Sequence, residues 1–255
     1  MKLISALGAS IALSCFPVWA AVAEPQPETC DVPASFLESE IDLGRATAEM
    51  KDRHRLDITV IGSGSSALPG PDGARFAYPA QLENALKQQL PGAEINVTAH
   101  VQPKRTTAGV VSELSKVLAE DKPSLVVWQA GTADALNGIE TDEFRASLDS
   151  GVEMIQAAGA DVILMNMQYS PRTASMLDVS AYADIMRHIA QQRGAVLFDR
   201  LGIMQYWNDA GTFDLYAATK KYDMARRVHE CIGRALASQI INAAHLDAVR
   251  MQTTR

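Results

Sequence analysis

Residues 125–136, LVVWQAGTADAL, carry the clearest indication of the fold. It begins as a continuous apolar run, passes through a Gly-Thr turn and enters a helical pattern. An apolar run without alternation is typical of a parallel strand that helices cover on both faces. In sheets built from such strands, ligand chemistry collects in the loops at the carboxyl ends. The turn after Trp128 is therefore a candidate site.

The same strand-to-helix pattern recurs on both sides of this stretch. We predict five strands, at residues 57–61, 94–98, 124–128, 161–165 and 195–198. Alternating strands and helices imply right-handed crossovers and a parallel sheet between two helical layers. The predicted fold class is α/β, a three-layer α/β/α sandwich around a five-stranded parallel sheet.

Two helical patterns accompany the strands. Ser35 and Glu38 have capping-box spacing, which predicts the start of a helix ahead of the first strand. In residues 141–158, apolar side chains recur on one helical face, namely Phe144, Leu148, Val152 and Ile155.

The composition excludes several classes of protein. The chain has 255 residues, 47% of them hydrophobic, and 23 Lys+Arg against 30 Asp+Glu give a formal charge of −7. This is enough apolar material for one full core, which excludes disorder, a disulfide-dense miniprotein and a collagen-like fibre. An acidic balance with no Lys/Arg run also argues against nucleic-acid binding, because neutralising phosphates requires clustered positive charge.

The N-terminus has the pattern of a bacterial secretory signal peptide. Lys2 precedes an apolar run that ends near Phe16, and small residues follow at cleavage-compatible spacing. The rival interpretation is a membrane anchor, for which the apolar run is short. We predict a signal peptide at 1–23, an N-terminal segment with a helix at 24–56, one domain at 57–245 and a tail at 246–255. The mature protein is expected in the periplasm, without a membrane span.

Export changes the interpretation of the cysteines. Removing the signal peptide leaves Cys30 and Cys231, and an oxidising compartment favours a disulfide between them. The alternative is a pair of free, buried cysteines. Because two thiols without a Cys/His cluster make a poor metal site, we expect no metal and no cofactor.

Residues 125–136 resemble the block of SGNH/GDSL hydrolases that ends in G-T-N-D or G-G-N-D. Other blocks follow in the family's order: YPAQL at 78–82 resembles the segment after the nucleophile loop, and QYSPR at 168–172 and FDR at 198–200 resemble periplasmic members. The resemblance covers residues 57–241 and implies the flavodoxin-like SGNH hydrolase fold. It also implies acyl-ester hydrolysis by a Ser of G-D-S and a His of D-x-x-H. In this family a Ser amide, a Gly amide and an Asn side chain hold the oxyanion.

The nucleophile loop departs from the family's pattern. IGSG at residues 61–64 lies over the family's apolar-G-D-S, which puts Gly64 at the nucleophile position. If the alignment is shifted by one residue, Ser65 takes the nucleophile position instead. Ser63 is the other serine of this loop that could serve as the nucleophile. Ser65 and Ser63 are thus the catalytic candidates if the protein is active.

The remaining catalytic positions depart as well. The resemblance places Lys104 at the oxyanion Gly and Ala133 at the Asn donor, while Lys220 and Asp223 occupy the Asp and His positions of D-x-x-H. None of the five histidines belongs to a D-x-x-H. Only His100 is expected in a loop at the active end of the sheet, where it is either a base or a surface residue.

Four departures in four separate loops predict a catalytically inactive member of an ester and acyl hydrolase lineage that acts as a periplasmic binding or accessory protein. One alternative is an active carboxylesterase or deacetylase that uses Ser65 or Ser63. Another is a structural partner in a larger assembly. Hydroxyls and cations expected around the former active cleft favour an anionic small-molecule ligand; they are Ser63, Ser65, Ser66, Lys104, Arg105 and Lys220. An envelope glycan or lipid and a protein partner are the other candidates.

Overall fold

The computed structural model describes residues 30–216 and 222–246, and these form a five-stranded parallel sheet between helical layers. The strands are β1 (Arg55–Gly62), β2 (Glu94–Val101), β3 (Leu125–Gln129), β4 (Asp161–Met165) and β5 (Val196–Phe198). Their order across the sheet is β2-β1-β3-β4-β5, and every pairing is parallel. The predicted three-layer α/β/α fold is confirmed.

Helices cover both faces of the sheet. They are α1 (Gly44–Arg53), α2 (Gly73–Phe76), α3 (Tyr78–Gln89), α4 (Thr107–Asp121), α5 (Thr132–Asn137), α6 (Thr141–Ala157), α7 (Pro171–Ala174), α8 (Ser180–Arg193), α9 (Arg200–Asp209) and α10 (Tyr222–Ala243). Side chains from α1, α3, α9 and α10 pack into one core, and side chains from α4, α6 and α8 pack into the other. Successive residues of β3 alternate between these cores, as the strand period requires: Leu125 and Val127 face the first, Val126 and Trp128 the second.

The predicted elements differ from the structure mainly at their ends. β4 has the predicted bounds, and the four apolar residues of the predicted helix are buried in α6. β2 continues to Val101 because β1 extends to Gly62 and pairs with it. His100 therefore lies inside β2, where its Nε2 is 2.7 Å from Asp121 Oδ2. The prediction that His100 belongs to an active-end loop was wrong.

The capping box predicted at Ser35 and Glu38 was also wrong. Ser35 lies in a short 3-10 turn, Ala34–Phe36, and α1 begins eight residues after that turn at Gly44, without a side-chain cap of its own. Its free amides instead donate to Asp161 Oδ2 at the start of β4, from Arg45 N at 2.8 Å and Ala46 N at 2.9 Å. A carboxylate from a distant strand replaces the local cap.

The C-terminal helix α10 packs closely on α3 and positions one wall of the site. A Cβ on Gly233 would lie 2.7 Å from Leu82 N, so a larger side chain would separate the two helices. Two residues earlier, Cys231 forms a disulfide with Cys30, 201 residues away in sequence. Among the described residues, no helix is both long enough and apolar enough to cross a membrane. The predicted signal peptide and Lys220 lie outside the described residues, as does the tail beyond residue 246.

Candidate functional site

The site lies where the chain order of the sheet reverses. From β1 the chain moves to one neighbouring strand, and from β3 it moves the other way to β4. Crossovers that leave in opposite directions open a crevice at the carboxyl ends of the strands. The loop after β1 and the last residue of β3, Gln129, meet at this crevice.

The loop after β1 turns back on itself within four residues. Gly64–Ser66 form a 3-10 turn, and Ser66 N donates to Ser63 O at 2.9 Å. The turn requires glycine just before it, because a Cβ on Gly62 would lie 2.1 Å from Ser66 Oγ. The result is that three serine hydroxyls approach the end of β3.

Gln129 joins these hydroxyls into one network. Its Nε2 donates to Ser63 Oγ at 2.9 Å and to Ser65 Oγ at 2.7 Å, while its Oε1 accepts from Ser66 Oγ at 2.6 Å. Gln129 is only 4% exposed. Ser65 Oγ therefore accepts from the amide, and it lies 3.2 Å from Ser63 Oγ, a neutral hydroxyl.

A buried arginine closes the network. Arg200, the first residue of α9, is 1% exposed. Its Nη1 lies 3.3 Å from Ser65 Oγ and 3.2 Å from Gln129 Oε1, and its Nη2 lies 3.2 Å from Ser65 O and 3.3 Å from Gln168 Oε1. Every one of these acceptors is neutral, and its Nε has no partner among the described residues. Burial lowers the pKa of Arg200 to about 10, so the guanidinium is charged at neutral pH.

Tyr78 and His229 extend this hydrogen-bond network beyond Ser66. Tyr78 N donates to His229 Nδ1 at 3.0 Å, and the Tyr78 hydroxyl lies 3.2 Å from Ser66 Oγ. Burial, with a smaller contribution from the Arg200 charge, lowers the pKa of His229 to about 3. His229 is therefore a neutral imidazole whose Nδ1 lone pair is already used. Burial also raises the pKa of the Tyr78 phenol.

We expect the depressed pKa of His229 to make the protein less stable in mild acid. The unfolded imidazole binds a proton below about pH 6.5, whereas the folded one stays neutral down to about pH 3. As the pH falls from about 6.5 to about 3, His229 should therefore lower the free energy of unfolding by roughly 1.4 kcal/mol per pH unit. Urea denaturation from pH 7 to pH 4.5 should therefore show a shallower pH dependence in His229→Gln than in the native protein.

The exposed His188 on α8 provides the matched control for that experiment. His188→Gln makes the same substitution at a solvent-exposed helical position, away from the cleft lining, and should keep the pH dependence of the native protein. An NMR titration that found His229 protonating near pH 6.5 in the folded protein would contradict the expectation.

A cleft of about 270 Å³ opens beside this network. Polar side chains that line it include Ser65, Gln168, Ser170, Arg200 and His229. Apolar side chains also line it, from the first loop, α9, the segment after α9 and α10: Ala67, Leu68, Met204, Leu215, Ala225 and Val228. The arrangement offers one cation, several hydroxyl and amide groups, and an apolar surface.

The structure brings only part of the predicted site to this cleft. Ser65 and Gly64 line it. Ser63 instead faces a void of about 10 Å³ that Ala133 also lines. Asp223 is exposed in the first turn of α10, 4.0 Å from Arg226.

Two of the three predicted cations, Lys104 and Arg105, do not line the cleft, and the third, Lys220, lies outside the described residues. Lys104 is exposed and absent from the cleft lining, and Arg105 pairs with Glu113. Lys104 adopts a φ of 64°, in the left-handed region that favours glycine. The backbone there retains the conformation suited to the glycine that the resemblance places at this position. Within the described ranges, no three His, Cys, Asp or Glu side chains are grouped to hold a metal ion.

Sequence reasoning missed Gln129, Arg200 and His229 as site residues. Gln129 had a usable signal, since it is a polar residue that directly ends a buried strand. Arg200 belongs to the FDR stretch that carried part of the family resemblance, but nothing in that stretch indicates burial. His229 lies within a helix, and only the packing of α10 on α3 brings it to the cleft.

Comparisons with known proteins agree with this architecture. A sequence model of the non-GDSL lipase-like family matches residues 29–246. Esterase TesA of Pseudomonas aeruginosa is 29% identical over 140 residues, which cover 55% of this chain and 68% of that protein. The crystal structure of TesA superposes with a TM-score of 0.57 at 24% identity, covering 70% of this chain and 97% of that one. The crystal structure of Axe2, an acetylxylan esterase from Geobacillus stearothermophilus, superposes with a TM-score of 0.59 at 19% identity. The match covers 72% of this chain and 94% of Axe2. These solved structures share the fold.

Proposed function

The chain belongs to the non-GDSL lipase-like family, as its resemblance to SGNH/GDSL hydrolases predicted, and we propose that it is an exported, catalytically inactive member that binds an anion in the cleft beside Ser65. The observation that carries this proposal is Arg200. Its side chain is buried and lines the cleft, and none of its hydrogen-bond partners in the described residues is a carboxylate. A buried charge without a counter-charge is costly, and an anionic ligand offsets that cost.

The surroundings of Ser65 support inactivity. A serine nucleophile needs a base that accepts its proton. Ser65 Oγ instead faces two donors, Gln129 Nε2 at 2.7 Å and Arg200 Nη1 at 3.3 Å. His229 lines the same cleft, but its Nδ1 accepts from Tyr78 N and its pKa is about 3. An imidazole in that state is a weak base at neutral pH.

The oxyanion positions support the same conclusion. Ala133 has no side-chain donor where the family uses Asn, and it lies in the small void rather than the cleft. Removing one oxyanion donor typically lowers the rate by about 100- to 1,000-fold. The losses of base and donor together would leave little hydrolysis.

Export to the periplasm is supported by the N-terminal pattern and by the disulfide. Bonds such as Cys30–Cys231 form and persist in oxidising compartments. N-terminal sequencing of the protein from a periplasmic extract tests this part, and a chain that retains Lys2 would contradict it.

We expect an alkyl fluorophosphonate probe to leave the protein unlabelled at pH 7 to 8. The probe captures serines whose proton a neighbouring base removes, and Ser65 has donors for neighbours. Intact-protein mass spectrometry gives the stoichiometry, with esterase TesA as the positive control. Labelling that disappears in Ser65→Ala or Ser63→Ala would instead support an active esterase.

Anion binding is tested with sodium acetate in a low-chloride buffer. Acetate should shift the backbone amide resonances of Gly64 and Ser65, which lie beside Arg200, in a saturable NMR titration. Arg200→Met should abolish the shifts. If acetate leaves the cleft resonances of the native protein unchanged up to molar concentration, the anion-binding proposal is wrong.

A further inference from the structure

The two sulfurs of the disulfide differ in their access to solvent. Cys231 is 3% exposed and packs in the core that α3 and α10 share. Cys30 is half-buried and lines a surface groove that Arg234 also lines, whereas Cys231 is not among the described residues of that groove. Thiol–disulfide exchange requires a thiolate to reach a sulfur. An external reagent therefore has access to Cys30 rather than to Cys231.

An arginine lies beside the accessible sulfur. Arg234 is on α10, one helical turn after Cys231, and its Nη1 lies 3.6 Å from Cys30 Sγ. A cation beside a sulfur favours the thiolate, which is the reactive form in exchange. The same Nη1 lies 3.6 Å from Glu230 Oε1, and Asp31 also lines the groove. These carboxylates weaken the field of the guanidinium, so we expect a moderate effect of Arg234 on the rate.

The segment after Cys30 is attached to the fold by contacts other than the disulfide. Trp207 Nε1 donates to Asp31 O at 3.0 Å, and Phe36 packs against the core beneath α9 and α10. These contacts keep Cys30 close to Cys231 when the bond between them is open. Cys231 is then in place to attack a mixed disulfide formed at Cys30.

We propose that Cys30 is the site at which an external disulfide, such as oxidised glutathione, exchanges with this protein. Cys231 is the resolving cysteine, and Arg234 stabilises the Cys30 thiolate. The inference does not rest on anion binding, because none of the described residues that line the groove lines the cleft.

The exchange takes two displacement steps. In the reduced protein the Cys30 thiolate attacks one sulfur of RSSR, which forms the bond from Cys30 Sγ to SR, breaks the bond within RSSR and releases RS⁻. Cys231 then loses its proton to solvent, and its thiolate attacks Cys30 Sγ and releases the second RS⁻. The two protein sulfurs are oxidised by two electrons in all, and RSSR is reduced to two thiols. Reduction of the protein runs back through the same mixed disulfide at Cys30.

Single-cysteine variants of the mature chain, which lacks Cys15, test this assignment. Cys231→Ser keeps Cys30, and Cys30→Ser keeps Cys231. With oxidised glutathione at neutral pH, Cys231→Ser should acquire one glutathione at least about tenfold faster than Cys30→Ser, because the reactive sulfur must be accessible. Intact-protein mass spectrometry follows the reaction, and circular dichroism checks that both variants are folded. Equal rates in the folded variants, or a faster reaction at Cys231, would overturn the proposal.

The native sequence provides a second measurement that does not depend on the folding of a variant. The native protein is reduced, freed of reductant and given a limiting amount of iodoacetamide, which alkylates thiolates irreversibly. Peptide mapping should find at least about ten times more label on Cys30 than on Cys231. Label spread evenly over the two cysteines would contradict the assignment.

Arg234→Met in the Cys231→Ser background tests the role of the cation. Glutathione addition should slow about threefold at neutral pH, and the difference should vanish above about pH 10, where the thiol is ionised with or without the arginine. A merely structural role of Arg234 would not produce that pH dependence. Arg234→Lys should retain most of the rate.

Arg53→Met in the same background is the matched control. Arg53 is also an exposed helical arginine that pairs with a glutamate one turn earlier. It should leave the rate of glutathione addition unchanged. An equal rate in Arg234→Met and Arg53→Met would overturn the role of Arg234 and leave Cys30 as the exchange site.

Discussion

Replacing Gln129 with Glu is expected to lower the affinity of the cleft for carboxylates at least a hundredfold while leaving the protein folded. The two side chains have the same shape, and Gln129 Oε1 already lies 3.2 Å from Arg200 Nη1. The new carboxylate would supply a counter-charge that Arg200 does not have among the described residues. At about 4 Å and an effective dielectric constant of about 20, that attraction amounts to about 4 kcal/mol. An incoming anion would have to displace this charge or share the cation with it.

The surrounding hydroxyls allow the substitution. Ser63 and Ser65 now accept from Gln129 Nε2, and a serine hydroxyl rotates to donate to a carboxylate instead. Circular dichroism and urea denaturation would check the fold, and the NMR titration with acetate would measure affinity.

Gln191→Glu is the matched control for Gln129→Glu. It makes the same chemical change at an exposed position of α8 and alters the net charge equally. It should bind acetate as tightly as the native protein. Native affinity in Gln129→Glu would show that Arg200 does not hold the ligand.

Breaking the disulfide is expected to lower the free energy of unfolding by roughly 4–5 kcal/mol. Cys30 and Cys231 close a loop that spans 201 residues of sequence, and in the chain-entropy model a loop of that size restricts the unfolded chain strongly. The bond also secures the N-terminal segment against the fold, where Trp207 Nε1 donates to Asp31 O at 3.0 Å.

Urea denaturation of the mature chain, with and without a reductant, measures this effect. The reduced native protein keeps both sulfurs, so it separates loss of the bond from the cavity that Cys231→Ala would leave at a position only 3% exposed. Cys30→Ala in the reduced state should add little further loss, because Cys30 is half-buried. Equal urea midpoints with and without reductant would rule out a stabilising bond.

The parts of the fold that could be predicted are those set by local pattern. β4 is an apolar run bounded by turn residues, and its predicted bounds match the structure. The helical face of α6 follows from the spacing of Phe144 and Leu148. The start of α1 could not be predicted in this way, because its amides bond to Asp161, more than a hundred residues away.

The same distinction between local pattern and long-range packing applies to the candidate site. The Gly-Ser loop after β1 and the replaced catalytic positions are visible in the sequence, because each is a local motif set against a known pattern. The family, the parallel sheet and the missing G-D-S and D-x-x-H motifs follow from the sequence. Packing, by contrast, places Arg200 in the cleft lining and leaves Lys104 out of it. Arg200 is buried among neutral acceptors because α9, β3 and the first loop come together there, and no local pattern encodes that.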